Sequence, residues 1–268
     1  MIIDKFLILF LLFIIYSILG WVMETIAVFI DSKKLVNRGF LIGPYCPIYG
    51  VGCILIIVIL TNFLNYPVLL FVISALICSI VEYLTSFFME KLFKARWWDY
   101  SDRRFNLNGR ICLSNTVIFG ILGWLILYFL NPVIYKLINY IPNEIRYIVS
   151  SVIFILFLVD VVISCNLMTK IKKFAFENNK DNTEEITNKI KEILFSKNVL
   201  IKRIIEASPN IKRTIKNKIE ELKNKRKDIS RKITSNITSF KNDVKEKIKN
   251  NTVIKELKDR KSKKINNK

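Results

Sequence analysis

The sequence predicts an all-α, polytopic membrane bundle of about five transmembrane helices, followed by a basic, amphipathic helical tail. Three observations predict it. Apolar residues make up 52% of the chain while its formal net charge is +20, a pairing that a single water-soluble globule does not reconcile. The charge is segregated: residues 1–169 hold 12 Lys/Arg and 9 Asp/Glu, leaving 30 and 13 for residues 170–268. The first part also contains apolar runs close to the ~20 residues, at ~1.5 Å each, that a helix needs to cross a bilayer. The chain divides on this reading into a bundle, 1–169, and a largely helical cytoplasmic tail, 170–268.

Taken in order, the apolar runs cover residues 6–30, 48–64, 68–89, 111–130 and 145–168. The first is longer than the apolar core of a signal peptide, about 7–15 residues, and no A-x-A site follows it, so it is expected to remain as a membrane helix. The second is short and bounded by Pro47 and by Asn65-Tyr66-Pro67, which reads as a tight turn joining helices two and three. Lys5, Lys136 and Arg146 fall on one side of the bundle. Lys33, Lys34, Arg38, Lys91, Lys94, Arg96, Arg103, Arg104, Arg110 and the tail fall on the other. Cytoplasmic loops collect Lys and Arg, which predicts a multi-pass protein of the bacterial inner membrane. Its N-terminus is outside, its loops at about 31–47 and 90–110 are cytoplasmic, and its C-terminus is inside.

Glu24, Glu82 and Asp160 lie within the spans, where an ionised Asp costs roughly 2.5–3.5 kcal/mol on insertion scales. Counted back from the cytoplasmic ends, all three sit at a depth of ~10–15 Å, which predicts that they converge at one level. Small or polar residues recur every three or four positions: Ser17, Gly20, Glu24 and Ala27; Ala75, Ser79, Glu82, Ser86 and Glu90; Thr116, Gly120 and Gly123. Such stripes let helix backbones approach closely and are the expected seams. The acids either glue the bundle, paired with Arg38 or Arg110, or belong to an ion, proton or substrate route. Glu24, Glu82, Glu90 and Asp160 are the candidate route residues.

Much chemistry is excluded. The chain has no histidine, hence no Ser-His-Asp triad, no Cys-His pair and no H-E-x-x-H zinc site. Cys46, Cys53, Cys78, Cys112 and Cys165 form no C-x-x-C pair and read as small apolar fillers, not as a disulfide or metal framework. No glycine precedes Lys-Ser or Lys-Thr, so any ATP is hydrolysed by an ATPase subunit in trans. No metal, cofactor or catalytic residue is assigned.

The two loops are dense in turn-forming and hydrogen-bonding residues. Tyr16–Thr25 reads Y-S-x-L-G-W-x-x-E-T, and Asn37–Gly50 reads N-R-G-F-L-x-G-P-x-C-P-I-Y-G. Glu82–Ser101 reads E-Y-x-T-S-x-x-M-E-K-x-F-x-A-R-W-W-D-Y-S, and Phe105–Leu113 reads F-N-L-N-G-R-I-C-L. Trp97 and Trp98 suit either an interfacial anchor or a folded re-entrant cap, in which Arg38 and Arg110 meet Glu24, Glu82 and Glu90. A cap of that kind needs protein or a water-filled cavity around it. In these motifs the chain resembles the bacterial membrane family described as "Putative ABC-transporter type IV", over most of residues 10–165. The resemblance implies a multi-helix inner-membrane protein related to transport permeases. It marks Glu24, Asn37, Arg38, Gly39, Glu82, Glu90, Trp97, Trp98, Asp99, Tyr100, Asn106, Asn108 and Arg110 as the family's motif positions.

The tail lies outside that resemblance. Ile211, Leu222, Ile233 and Val244 are each eleven apart, a period that keeps one narrow apolar stripe on a nearly straight helix. Ser208-Pro209-Asn210 breaks the chain before it, so a shorter helix at about 184–206 is expected. Lysine flanking the stripe favours anionic lipid at the inner leaflet, ahead of a helical pair or homo-oligomer. Nucleic acid is the weakest specific partner, since only five of the 30 basic residues are Arg and aromatics are nearly absent.

Three functions are compatible with this. The first is a permease component using the acids in a solute or cation route. The second is a membrane-embedded enzyme acting on a lipid or isoprenoid phosphate, its acids serving as acid/base or Mg²⁺ ligands and Arg38 and Arg110 gripping phosphate. The third is a scaffold with a lipid-binding tail.

Overall fold

The computed structural model describes residues 2–176, 199–249, 255–256 and 258–260. Its elements are α1 (Ile2–Ser32), α2 (Pro47–Leu60, extended by a 3-10 turn, Thr61–Phe63) and α3 (Pro67–Phe93). A hairpin of β1 (Asn106–Leu107) and β2 (Ile111–Cys112) follows, then α4 (Leu113–Tyr140) and α5 (Asn143–Phe176). The tail supplies α6 (Val199–Ala207) and α7 (Pro209–Lys249). The all-α membrane fold is as the sequence predicts, with one difference: among the described residues four helices are long and apolar enough to cross a bilayer, and the expected second span is a shorter apolar helix.

The exception is α2, and its register explains why. Cys46, at its N-cap, donates its backbone N–H to Ser17 O at 2.9 Å. Ser17 lies fifteen residues, roughly 22 Å of helix rise, short of the end of α1 at Ser32. The segment 33–46 therefore turns back along α1 and re-enters the bundle before α2 begins. Part of the second apolar run's job is done by irregular backbone, so the helix that remains is only 14 residues long. Pro47 sits in its first turn, where the missing N–H costs nothing.

α4 continues ten residues beyond the predicted end. Pro132 lies inside it, and the helix accommodates the ring by opening one π turn, Ile126–Leu130, just ahead. The small-residue stripes form the expected seams. A Cβ on Gly20 would strike the Tyr49 ring and one on Gly123 would strike Ser74, so α1 meets α2 and α3 meets α4 at near-backbone distance. Ser79 and Thr116 share a hydrogen bond of 2.9 Å across the second seam. Leu12, Tyr16, Ile56, Leu60, Leu70, Leu127 and Ile138 close the core at the N-terminal end of α1. The outward faces stay apolar, with Ile80, Leu84, Ile148 and Ile155 exposed, as a lipid-facing surface requires.

The chain forms two compact units, Met1–Ile215 and Lys216–Lys268. The first extends past the expected boundary at 169 because α5 runs to Phe176 and α6 and the start of α7 pack with the bundle, burying Ile201, Ile204 and Ala207 of α6 and Ile211 and Ile215 of α7. Residues 184–198 of the expected short helix fall outside the described residues. The second unit carries the rest of α7, where Ile229, Ile233, Ile237, Phe240 and Val244 form an exposed apolar stripe.

Candidate functional site

The re-entrant segment is built by its own polar groups. Asn37 Oδ1 accepts the Trp21 indole N–H at 2.7 Å and the Gly39 N–H at 3.0 Å, fixing the turn that sends the chain inward. The tip is pinned by Asp160 from α5. This carboxylate accepts Ile42 N–H at 2.9 Å, Gly43 N–H at 2.7 Å, the Tyr45 hydroxyl at 2.6 Å and the Ser164 hydroxyl at 2.8 Å. On the other side, Arg203 of α6 donates to Gly39 O at 3.2 Å and also to Leu41 O. Amides of the loop thus go to an acid and carbonyls to a guanidinium. Burial lowers the Arg203 pKa while Asp160 opposes the shift.

The second loop interlocks with the first. Trp97, 7% exposed, donates its indole N–H to Arg38 O at 2.9 Å and meets the Phe40 ring edge-on at 5.7 Å. Trp98 donates to Arg110 O at 3.0 Å. Asn108 and Gly109, with φ of 54° and 68°, make the hairpin turn that Arg110 N–H closes on Leu107 O at 3.0 Å. Asn106 Oδ1 accepts Gly109 N–H, and Asn108 Nδ2 donates to the Tyr83 hydroxyl. Asp99 Oδ1 accepts the Ser101 N–H and hydroxyl, which hold this exposed carboxylate below its usual pKa. Glu90 Oε2 takes Arg110 at 2.7 Å and Arg96 at 3.0 Å, and the Arg110 guanidinium lies over the Tyr83 and Phe87 rings.

Between the loops and helices α1 to α4 lies a cavity of about 350 Å³. Glu24, Arg38, Glu82, Trp97, Trp98 and Tyr100 line it, together with Tyr49, Cys46, Asn115 and Phe119. Each acid has one oxygen held by a tyrosine. Tyr49 donates to Glu24 Oε1 at 2.5 Å, and Tyr100 donates to Glu82 Oε1 at 3.1 Å. Burial and the neighbouring Glu82 keep the Tyr100 phenol well above its usual pKa, so it too remains a donor. Glu82 is 5% exposed, and its Oε2 has no partner in good hydrogen-bond geometry, although Asn115 lies close enough to act on it.

The sequence-selected residues therefore fall into two sets. Glu24, Arg38, Glu82, Trp97, Trp98 and Tyr100 meet at the cavity. Asn37, Gly39, Asp99, Asn106, Asn108, Arg110, Glu90 and Asp160 build the two loops and do not line it. Arg110 meets Glu90 as expected, whereas Arg38 faces the cavity acids without an ion pair to either among the described residues. Sequence reasoning missed Tyr49, Tyr45, Asn115 and Arg203. Tyr49 stood within the quoted motif, while a single Arg in a lysine-rich tail carries no local signal.

The model of the "Putative ABC-transporter type IV" family matches residues 11–165. That span covers the cavity, both loops and Asp160, and it is more than half of the chain. The chain belongs to this family. With its long apolar helices, it is a multi-pass membrane protein related to ABC transporters. The family match ends within α5, so α6 and α7 lie outside it. Neither a curated protein nor a solved structure matches the chain.

Proposed function

We propose that the chain is the membrane-embedded component of an ABC-type transporter, that the cavity is its solute site, and that a separate chain supplies the ATPase. The supporting observation is a cavity of about 350 Å³ that holds Glu24 and Glu82 where a half-length helix begins inside the bundle. Interrupted helices starting near mid-membrane, with irregular backbone lining a cavity, are how many transporters build substrate sites. The proposed orientation has loops and tail on the cytoplasmic side.

The enzyme reading loses a requirement, because Arg110, one of its two phosphate-gripping arginines, is committed to Glu90 and stacked on two rings. The family relation does not supply a substitute.

Cysteine labelling in native membrane vesicles tests the transport reading, since Cys46, Cys53 and Cys78 all line the cavity. Their reaction with N-ethylmaleimide is expected to change when ATP is added and again when vanadate arrests hydrolysis. If ATP and vanadate leave the rate at all three cysteines unchanged, the cavity is not part of an ATP-driven route.

A further inference from the structure

We propose that the cavity's ligand is an organic ammonium carrying a flat apolar group. The inference rests on the cavity being a solute site, and it names the chemical class that site takes.

Charge points this way first. The charged groups lining the cavity are Glu24, Glu82 and Arg38, one more carboxylate than guanidinium. Arg38 spends its Nη1 on Ala207 O at 3.3 Å, toward α6. With both acids ionised a cation balances the lining, whereas an anion faces two carboxylates.

The hydrogen-bond inventory agrees. Tyr49 and Tyr100 each satisfy one oxygen of an acid and hold that carboxyl group in place. Glu82 Oε2 has almost no accessible surface and no well-aligned donor, with Asn115 beside the carboxyl group; an unsatisfied carboxyl oxygen at this depth is costly, which favours turning the Glu82 side chain toward a donor in the cavity. An ammonium N–H is the charge-assisted donor that suits it.

Walls and size separate an organic cation from an inorganic one. Phe40, Trp97, Trp98 and Phe119 line the cavity beside Ile56 and Leu122. Aromatic faces attract ammonium groups, but such walls cannot replace the shell of six to eight oxygens that Mg²⁺ or Ca²⁺ needs. Among the described residues no group of three or more acidic or cysteine side chains is placed to hold a metal. The volume, about 350 Å³, is that of about twelve waters at ~30 Å³ each, room for a small organic molecule.

The test uses the full chain in phosphatidylcholine nanodiscs, titrated with phenethylammonium, 2-phenylethanol and 3-phenylpropanoate while tryptophan fluorescence is followed. Trp97 and Trp98 report directly because they line the cavity. Phenethylammonium is expected to give saturable quenching at least about tenfold tighter than either other probe. Glu82→Gln should weaken it by about tenfold or more, while Glu144→Gln, exposed in the first turn of α5, leaves it unchanged. The three-probe comparison needs no variant, so it stands even where E82Q folds poorly. Tighter binding of the alcohol or the carboxylate overturns the ammonium assignment and leaves the solute-site reading intact. Absence of saturable quenching by all three also overturns the assignment, and the ATP-dependent labelling then decides the transport reading separately.

Discussion

Asp160 shows how one buried acid can be wholly occupied by architecture. Its two oxygens accept two loop amides, a phenol and a serine hydroxyl, which is most of what a carboxylate can accept. Asparagine at this position keeps the size but turns one acceptor into a donor. Gly43 N–H and the Tyr45 hydroxyl share one oxygen, Oδ2, so an amide nitrogen there confronts two donors. Each buried donor left unpaired costs roughly 1–3 kcal/mol. Asp160→Asn is therefore expected to lower the thermal midpoint of the detergent-solubilised protein clearly more than Tyr45→Phe, which removes a single bond. Equal midpoints for both variants and the parent protein would show that the loop does not depend on this anchor. Glu82 is the contrasting case, buried to a similar degree and lining the cavity, but with one oxygen held and the other without a well-aligned partner.

At the scale of elements, the helices and their seams were legible because apolar length and the spacing of Ser17, Gly20, Gly120 and Gly123 are local properties. Helix rise alone also singled out the acids of the spans, of which Glu24 and Glu82 line one cavity and Asp160 does not. That reasoning placed Asp160 beside Glu24 and Glu82 but could not tell which side of the re-entrant loop each acid faces. The short α2 was hidden because hydropathy scores the re-entrant segment and the helix as one crossing. The hairpin had a signal, Asn108-Gly109, that the density of other polar residues obscured. The docking of α6 had none, since it depends on Arg203 reaching carbonyls more than 160 positions earlier. That contact yields its own prediction. Hydrogen bonds from a charged donor contribute about 1.5–3 kcal/mol, so Arg203→Gln should speed amide exchange at residues 39–43 by roughly 10- to 100-fold, while α3 amides keep their protection. Exchange at 39–43 that matches the parent protein would mean that α6 rests on the loop without holding it.

At the scale of the whole molecule, the count of crossings decides which side each terminus occupies. Four long helices alone place both ends on one face. We propose that the segment 33–63 changes that parity, the re-entrant loop and α2 together making a crossing, since they lead the chain from the end of α1 back toward its beginning. The Tyr128 hydroxyl of α4, fifteen residues and roughly 22 Å past the start of that helix, bonds to Leu64 O just beyond α2, which places the end of α2 far from the loops. The loops are tied to one another by Trp97 and Arg38, so both lie on one face, and α5 brings the chain back to it. Nine Lys/Arg on these two loops against Lys5, Lys136 and Arg146 at the other end support the proposed placement of the loop face in the cytoplasm. In a background with the native cysteines replaced, Ile3→Cys is therefore expected to react with a membrane-impermeant maleimide on intact cells, while Asp102→Cys and Lys173→Cys react only in inverted vesicles. Labelling of positions 3 and 173 from the same face would mean that α2 and its loop dip into the bilayer and return without crossing. The cavity would then open toward a different compartment from the one that the loop charges indicate.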